Sequence, residues 1–415
     1  MSIHGHYLET PEGQLAQYRH RARRRMWFTI EGIEPRAKSS MPDDHKDAIQ
    51  RQLLDSLVAR RRRAFRGPLA LRLTIHTTDK NPAHSHNIAK NLLDLFGRPR
   101  HILRTRRCAL LYSDDNQVHA LSVRCRHGET MPRIATEAIP LGGLIKDLQL
   151  IQGASANDSA DRFDTDAIDR VTDLRRDEAQ IRSKFSDAAY ESLLWMAQRD
   201  AQEQLLSLKM LKPHDLAWMY QAQGHEIAAM WERIFFAESP LRITLSELPQ
   251  EQGASTLWKQ EIEEKLREFQ AKWGRIVDPL LVPTALEVVI KPPPPSRERN
   301  LHDLDNVLRN YLIPRVVEIL NPVSHFAFTF GESTMGQVAP ALLANPRYSR
   351  RKANRSMPPA SSRSGITRYE VWRLPPAEEG GAGVVSLAVV SDMTGLVDTF
   401  RQIDDGVERW CESLI

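Results

Sequence analysis

The sequence predicts an α+β protein in which two similar α/β units, each a small mixed sheet with packed helices, are joined by an α-helical middle region. Three observations support this prediction. The first and last thirds of the chain share an order of strand-like and helix-like segments, and the middle third is acidic with apolar residues at helical spacing. The length of 415 residues also exceeds the usual size of one compact domain. We therefore divide the chain into residues 1–150, 151–240 and 241–415.

The shared order begins with a short strand, continues with a charged helix and returns with a second, apolar strand. Runs of apolar residues indicate the strands, and apolar residues three and four apart indicate the helices. Each unit then carries a polar motif containing asparagine that opens an apolar helix, which suggests an internal duplication. In chain order, the corresponding segments are 27–30 and 241–245, 45–62 and 256–273, and 69–76 and 285–290.

The motif of the second unit is Asp303-Leu304-Asp305-Asn306, with Arg309 after it. It lies where a loop enters a helix. If the backbone is extended there, the side chains of Asp303 and Asp305 point to one side. Two converging carboxylates suit a hard divalent cation such as Mg²⁺. The alternative is that Asp305 is a helix N-cap.

The motif of the first unit is His84-Ser85-His86-Asn87, with Lys90 after it. Aligned on the shared asparagine, the two histidines stand where the second unit has aspartates, and Lys90 stands where it has arginine. An element reading Asp114-Asp115-Asn116-Gln117-Val118 follows in the first unit only.

Together these motifs resemble the metal-binding core of the RusA family of Holliday-junction resolvases. Those proteins are small, dimeric, Mg²⁺-dependent endonucleases that cut four-way DNA junctions. Their pattern has a strand before an Asp-Leu-Asp-Asn motif, a lysine four places after the second aspartate, and an Asp-Asp-x-Gln-Val element supplying a third carboxylate. Neither unit carries the full set. The resemblance implies catalytic roles for Asp303, Asp305, Arg309, Asp115 and Lys90, and metal binding by Asp303, Asp305, His84, His86, Asp114 and Asp115.

The two units imply different ligand sets. The second lacks an assigned third carboxylate, for which Glu332 is the nearby candidate. In the first, His84, His86 and Asp115 would suit Mn²⁺, Fe²⁺ or Zn²⁺ better than Mg²⁺, because imidazole is the softer ligand. The alternative is a decayed site whose histidines contact phosphate or solvent. We expect Mg²⁺ as the cofactor, with Mn²⁺ as an alternative at the His84/His86 site.

Charge is unevenly distributed along the chain. Residues 1–150 have a net charge of +11, residues 151–240 of −6 and residues 241–415 of −1. A basic first unit is expected of a surface that meets nucleic-acid phosphates. The alternatives are solvated faces and arginines that offset a helix dipole. The candidate nucleic-acid-binding residues are Arg23, Arg24, Arg25, Arg60, Arg61, Arg62, Arg63, Arg104, Arg106 and Arg107.

The remaining segments complete the expected organisation. The acidic region 151–240 is a helical spacer that orients the two units or docks a protein partner, and it includes a helix over 215–236. Residues 331–365 form a flexible basic insertion whose composition buries little apolar surface. We expect a loose tail over 1–17, a loop over 127–140, a strand over 384–390 and a helix over 395–415.

Two functional classes compete. In the first, a fused pseudo-dimer is a metal-dependent endodeoxyribonuclease acting on branched DNA. In the second, one or both sites are degenerate, and the chain is a nucleic-acid-binding subunit of a larger DNA-processing or defence assembly. A complete acidic cluster around Asp303 favours the nuclease, which is our preferred interpretation. The three cysteines and the lack of an apolar membrane span or signal segment predict a cytoplasmic protein; further assembly into a homodimer stays open.

Overall fold

The chain folds around one mixed sheet of eight strands, in the order β1-β4-β2-β3-β7-β6-β8-β5. This α+β architecture confirms the predicted class. The computed structural model describes residues 7–79, 83–154, 166–207, 211–221, 242–248, 256–278, 280–282, 284–294, 303–320, 322, 366–392 and 398–414. The strands are β1 (Met26–Glu31), β2 (Leu69–His76), β3 (Val118–Arg126), β4 (Arg133–Pro140), β5 (Arg242–Leu245), β6 (Thr284–Lys291), β7 (Ile366–Arg373) and β8 (Val384–Ser391).

Helices cover both faces of the sheet. In chain order they are α1 (Pro11–Ala22), α2 (Asp43–Ala59), α3 (Ser85–Phe96), α4 (Leu141–Ala154), α5 (Asp166–Arg176), α6 (Glu178–Lys184), α7 (Asp187–Ser207), α8 (Pro213–Gln221), α9 (Thr256–Val277), α10 (Leu304–Val307), α11 (Ile313–Leu320) and α12 (Thr399–Glu412). A π-helical turn, Leu308–Leu312, connects α10 to α11. Among the helices of the described ranges, none combines the length and apolar character needed to cross a bilayer.

The order of parallel and antiparallel strand pairs is the same from either edge of the sheet. Strand β2 pairs parallel with β3 and antiparallel with β4, and β6 pairs in the same way with β7 and β8. A register shift follows the first residue of β2, Leu69, and another follows the first residue of β6, Thr284. Helices also follow corresponding strands, since α3 and α10 come after β2 and β6, and α4 and α12 come after β4 and β8.

The two halves of the sheet meet where β3 pairs antiparallel with β7. The central pair of this joint is Ser122 opposite Glu370, and both residues are buried. The pairs two residues away on either side are Ala120 opposite Trp372 and Arg124 opposite Arg368. Exchanging the two strands converts one of these pairs of positions into the other. An approximate two-fold axis therefore passes through the middle of the sheet.

Successive residues of each strand point to opposite faces of the sheet, so the apolar side chains form two separate cores. On one face, residues such as Leu71, Leu73 and Val288 pack with α2, α3, α7, α9 and the helices that follow β6. On the other face, Ala70, Ala120 and Trp372 pack with α4, α8 and α12. Helices α4 and α12 approach closely, because a side chain at Gly406 would meet Ile151 at 3.0 Å. The described helices of the acidic region thus pack on both faces.

A network of buried charges lies under α12 at the joint. The guanidinium of Arg368, which is fully buried, lies 2.9 Å from Glu370 and 3.2 Å from Asp392. Glu370 also accepts a hydrogen bond from the Thr399 backbone N–H at 3.1 Å, at the start of α12. Burial raises the pKa of Glu370, although Arg368 lowers it in part. The network therefore ties α12 to the central strands.

Two sequence-based expectations are wrong. The predicted loop over 127–140 contains β4, which is buried between β1 and β2. The charged residue Glu137 and the flanking prolines make the strand difficult to predict, since a strand inside a sheet usually consists of apolar residues. The predicted tail over 1–17 contains the start of α1, which Thr10 caps by accepting a hydrogen bond from the Gly13 N–H. Residues 331–365 and most of the helix expected over 215–236 lie outside the described residues.

Replacing Arg368 with alanine should lower the free energy of unfolding by about 3–5 kcal/mol, because Glu370 would lose its buried counter-ion and Asp392 would keep only Arg124. Urea unfolding followed by circular dichroism measures the change. Arg401→Ala is the matched control, since Arg401 forms an exposed pair with Asp405 on the same helix and should cost less than about 0.5 kcal/mol. Equal destabilisation of both variants would contradict a structural role for the buried network.

Candidate metal centre

The two polar motifs occupy corresponding positions at the starts of their helices. Asp303 is the N-cap residue of α10 and His84 that of α3, while Asp305 and His86 are the second residues of these helices. Asp303 has an extended backbone, but Asp305 is already helical, so the extended geometry expected for the pair is wrong for Asp305. Asp305 is not the N-cap either. Asn306 donates a hydrogen bond of 2.9 Å from Nδ2 to Asp303 Oδ2 and helps to orient this carboxylate.

Three carboxylates from both halves of the chain converge at one end of the sheet. Oxygen atoms of Asp114, Asp115 and Asp303 all lie within 4.8 Å of one another. Asp114 caps the short 3-10 turn that leads into β3 and accepts a hydrogen bond from the Asn116 N–H. Since β3 runs antiparallel to β7, and β7 parallel to β6, the start of β3 lies beside the end of β6. Asp114 and Asp115 of the first half of the chain thus lie beside Asp303 of the second half, and Glu332 lies outside the described residues.

Lys90 connects the two halves at this cluster. Its Nζ lies 3.0 Å from Asp115 Oδ2 and 3.2 Å from Asp305 Oδ2. Burial lowers the pKa of the Lys90 ammonium, but the charges of Asp305 and Asp115 outweigh burial and raise the pKa above its ordinary value. Lys90 therefore stays charged at neutral pH.

Asp305 is the buried member of the group, with 3% exposure. Burial raises its pKa, and Lys90 offsets only part of this shift. Its Oδ2 atom lies 3.2 Å from the Lys90 ammonium, which partly neutralises its charge. A buried carboxylate beside the cluster of Asp114, Asp115 and Asp303 fits a hard divalent cation.

The two histidines lie stacked, with ring centroids 5.3 Å apart. Burial, together with the nearby His84 and Arg309, lowers the pKa of His86 to about 4, so the imidazole is neutral at pH 7. Among the residues that the structure describes, the aspartate cluster is the only set of three potential ligands within 4.8 Å. Asp115 therefore joins Asp303, and the structure does not bring it together with His84 and His86.

A buried arginine, Arg373, borders the cluster and was not identified from the sequence. It ends β7, and its Nη1 donates a hydrogen bond of 3.2 Å to the carbonyl of Asn116. Burial lowers its pKa to about 10, while the charge of Asp303 acts in the opposite direction. The signal that could have revealed it is an arginine that directly follows the apolar residues Val371 and Trp372 at the end of a strand. Arg309, by contrast, is exposed and lies on the π-helical turn, a distortion often found at functional sites.

The basic residues of the first unit occupy varied environments. Arg60 and Arg62 donate to the carbonyls of Trp27 and Arg23, and Arg107 donates to the carbonyl of Arg62 at 2.8 Å. Arg25 is enclosed in ion pairs with Asp147 and Asp404. The exposed members of the set are Arg23, Arg24, Arg60, Arg61, Arg63, Arg104 and Arg106.

Comparisons with known proteins found no match for this chain. No protein-family model matches the sequence, and neither a curated protein nor a solved structure matches the chain. Any assignment of function therefore rests on the geometry of the site itself.

If the aspartate cluster holds a divalent cation, Asp303→Asn and Asp115→Asn should each weaken Mn²⁺ binding by roughly tenfold or more, since each removes a charged ligand. Lys90→Met should tighten binding, because the ammonium competes with the metal for the same carboxylates. Titration followed by electron paramagnetic resonance of free Mn²⁺ measures both effects. His84→Gln is the control and should leave the affinity unchanged; a comparable weakening in this variant would place the ion at the histidines instead.

Proposed function

We propose that the protein is a metal-dependent endonuclease, similar to RusA resolvases, that cuts branched DNA at one centre built from both halves of the chain. The observation that carries the proposal is the convergence of Asp114, Asp115 and Asp303, with Asp305 and Lys90 beside them. A third carboxylate near Asp303 is the feature that distinguishes a nuclease from a protein that only binds nucleic acid. The proposal places this activity in the cytoplasm.

The repeated order of strands and helices supports a duplicated ancestor. Strand pairing, register shifts and helix positions correspond across the approximate two-fold axis at Ser122 and Glu370. In this proposal two RusA-like copies within one chain replace the dimer of the family. One copy keeps the Asp-x-Asp motif and the other keeps the paired aspartates before β3.

The residues around the cluster have distinct roles in the proposed reaction. Asp303, Asp305, Asp114 and Asp115 would hold Mg²⁺ or Mn²⁺, and a bound divalent ion supplies Lewis-acid activation of a phosphate and of a water molecule. Lys90, which remains protonated, neutralises charge on the phosphate that is cleaved. Arg373 supplies a fixed positive charge beside Asp303. The low solvent exposure of Asp305 strengthens the electrostatic interactions that Asp305 makes.

The second candidate is a nucleic-acid-binding subunit without catalytic activity. One observation favours it, because Lys90 already contacts both Asp115 and Asp305, and an ammonium in this position could substitute for a metal ion. In that case the aspartates would stabilise the fold and the basic surface alone would meet the nucleic acid. Cleavage assays distinguish the two functions.

The nuclease proposal predicts Mg²⁺- or Mn²⁺-dependent cleavage of a synthetic four-way junction. Asp303→Asn should abolish cleavage and retain junction binding, since it removes a metal ligand and leaves the basic surface unchanged. Asp173→Asn, at an exposed position on α5, should cleave normally. Gel electrophoresis of end-labelled strands measures incision, and a gel-shift assay measures binding. Cleavage by Asp303→Asn at the unmodified rate would refute the catalytic assignment, and binding without cleavage by the unmodified protein would support the second candidate.

The exposed arginines after α2 should contribute to DNA affinity by pairing with phosphates. Replacing Arg61 and Arg63 with serine should weaken binding and flatten the dependence of log affinity on log salt by about one unit for each phosphate that is no longer neutralised. Arg267→Ser, on the exposed side of α9, removes one arginine charge elsewhere and should leave the slope unchanged. Fluorescence anisotropy across a salt series provides the measurement. An unchanged slope in the first variant would mean that these arginines are only a solvated end of the helix.

A further inference from the structure

The two-fold axis of the sheet relates the aspartate cluster to a second position, where the start of α3 meets the start of β7. At the cluster, Asp114 and Asp115 precede β3 and lie beside Asp303 at the start of α10. At the second position, the Ser85 hydroxyl of α3 lies 3.5 Å from the carbonyl of Ile366, the first residue of β7. The chain therefore brings a helix start and a strand start together twice.

Histidines occupy the second position where α10 has aspartates. His84 stands at the N-cap of α3, as Asp303 does in α10, and His86 is the second helical residue, as Asp305 is. An imidazole is neutral or positive, so it cannot supply the negative charge with which a carboxylate binds Mg²⁺. The aspartate pair of the cluster thus has no acidic counterpart at these two positions of α3.

The sequence before β7 also differs from the sequence before β3. The two strands begin at equivalent residues, since each pairs there with the first residue of its parallel neighbour. In this alignment Ser362 and Arg363 take the places of Asp114 and Asp115, and the sequence over 333–365 contains no aspartate or glutamate. These residues lie outside the described part of the chain, but their composition supplies no carboxylate.

The neighbouring cations increase the difference between the two positions. Lys90 of α3 reaches the cluster, where its Nζ lies 3.0 Å from Asp115 and 3.2 Å from Asp305. Its counterpart Arg309 adds positive charge near His86 instead. One ammonium among several carboxylates leaves a net negative charge, whereas a guanidinium near imidazoles disfavours a metal ion. A divalent cation therefore prefers the cluster to the second position.

We propose that one bound chain cuts one strand of a branched DNA and leaves intact the strand that the two-fold axis places at the second position. This specificity rests on the proposed nuclease function. In each incision the oxygen of one water molecule bonds to phosphorus, the bond from phosphorus to one sugar oxygen breaks, and that oxygen takes a proton from the water. A symmetric dimer repeats its centre and can cut twice, whereas this chain releases a nicked product.

Incision of a four-way junction during a single binding event tests the proposal. Two strands related by the symmetry of the junction carry different fluorophores, and the junction is in excess so that each complex holds one chain. Complexes form in EDTA, and Mg²⁺ or Mn²⁺ is then added with unlabelled junction, which captures any protein that dissociates. Native gels should show junctions nicked in one or the other labelled strand and no separated duplex halves.

A variant of the cluster provides a second test. Asp303→Asn should abolish incision of both labelled strands, because a single centre cuts them in alternative orientations of the junction. An enzyme with a second centre would still nick the strand held there. Asp173→Asn, at an exposed position on α5, is the matched control and should give the products of the unmodified protein. Thermal melting verifies the folding of both variants.

The outcomes separate this specificity from the nuclease function. Separated duplex halves in the presence of the unlabelled junction, or residual nicking by Asp303→Asn, would reveal a second centre and overturn the proposal, while the nuclease function stands. A lack of incision by the unmodified protein with both Mg²⁺ and Mn²⁺ would refute the nuclease function and this proposal with it. Nicked junctions as the only product support both.

Discussion

The antiparallel pairing of β3 with β7 determines the rest of the structure. It joins two four-stranded halves into one sheet and sets their register through the central pair of Ser122 and Glu370. The same pairing brings the residues before β3 to the end of β6, and so brings Asp114 and Asp115 to Asp303. A shift of register would separate these carboxylates, because successive strand residues point to opposite faces.

Buried charge makes this joint specific. Arg368, Glu370 and Asp392 lie under α12 with little or no exposure, and each would be costly if its partner moved away. Apolar side chains at this joint could pack in several strand registers, whereas the partners of a buried charge network are all paired in only one register. Lys90 acts similarly on the other face, since it contacts Asp115 of its own half and Asp305 of the other. The fold and the candidate site therefore depend on the same kind of interaction.

Local patterns predicted much of the fold. The strands over 69–76 and 384–390 and the helix over 256–273 carry apolar residues with clear spacing, and the structure contains β2, β8 and α9 there. Strand β4 was missed because it carries a charged residue, Glu137, which makes the segment look polar although Glu137 is buried inside the sheet. The composite cluster could not be predicted, since Asp115 and Asp303 meet only through long-range strand pairing. Arg373 was missed because its position beside Asn116 and Asp303 also depends on that pairing, although an arginine at the end of a strand was visible in the sequence.

The covalent connection between the halves changes how the site forms. Two separate subunits would need to collide, so the fraction of assembled sites would fall on dilution. Within one chain the encounter is unimolecular, and the linker sets a high effective concentration of one half around the other. Assembly of the carboxylates is then a step of folding, independent of expression level. In the proposed duplication, each half could also diverge without a matching change in the other, which is consistent with histidines at the start of α3 and aspartates at the start of α10.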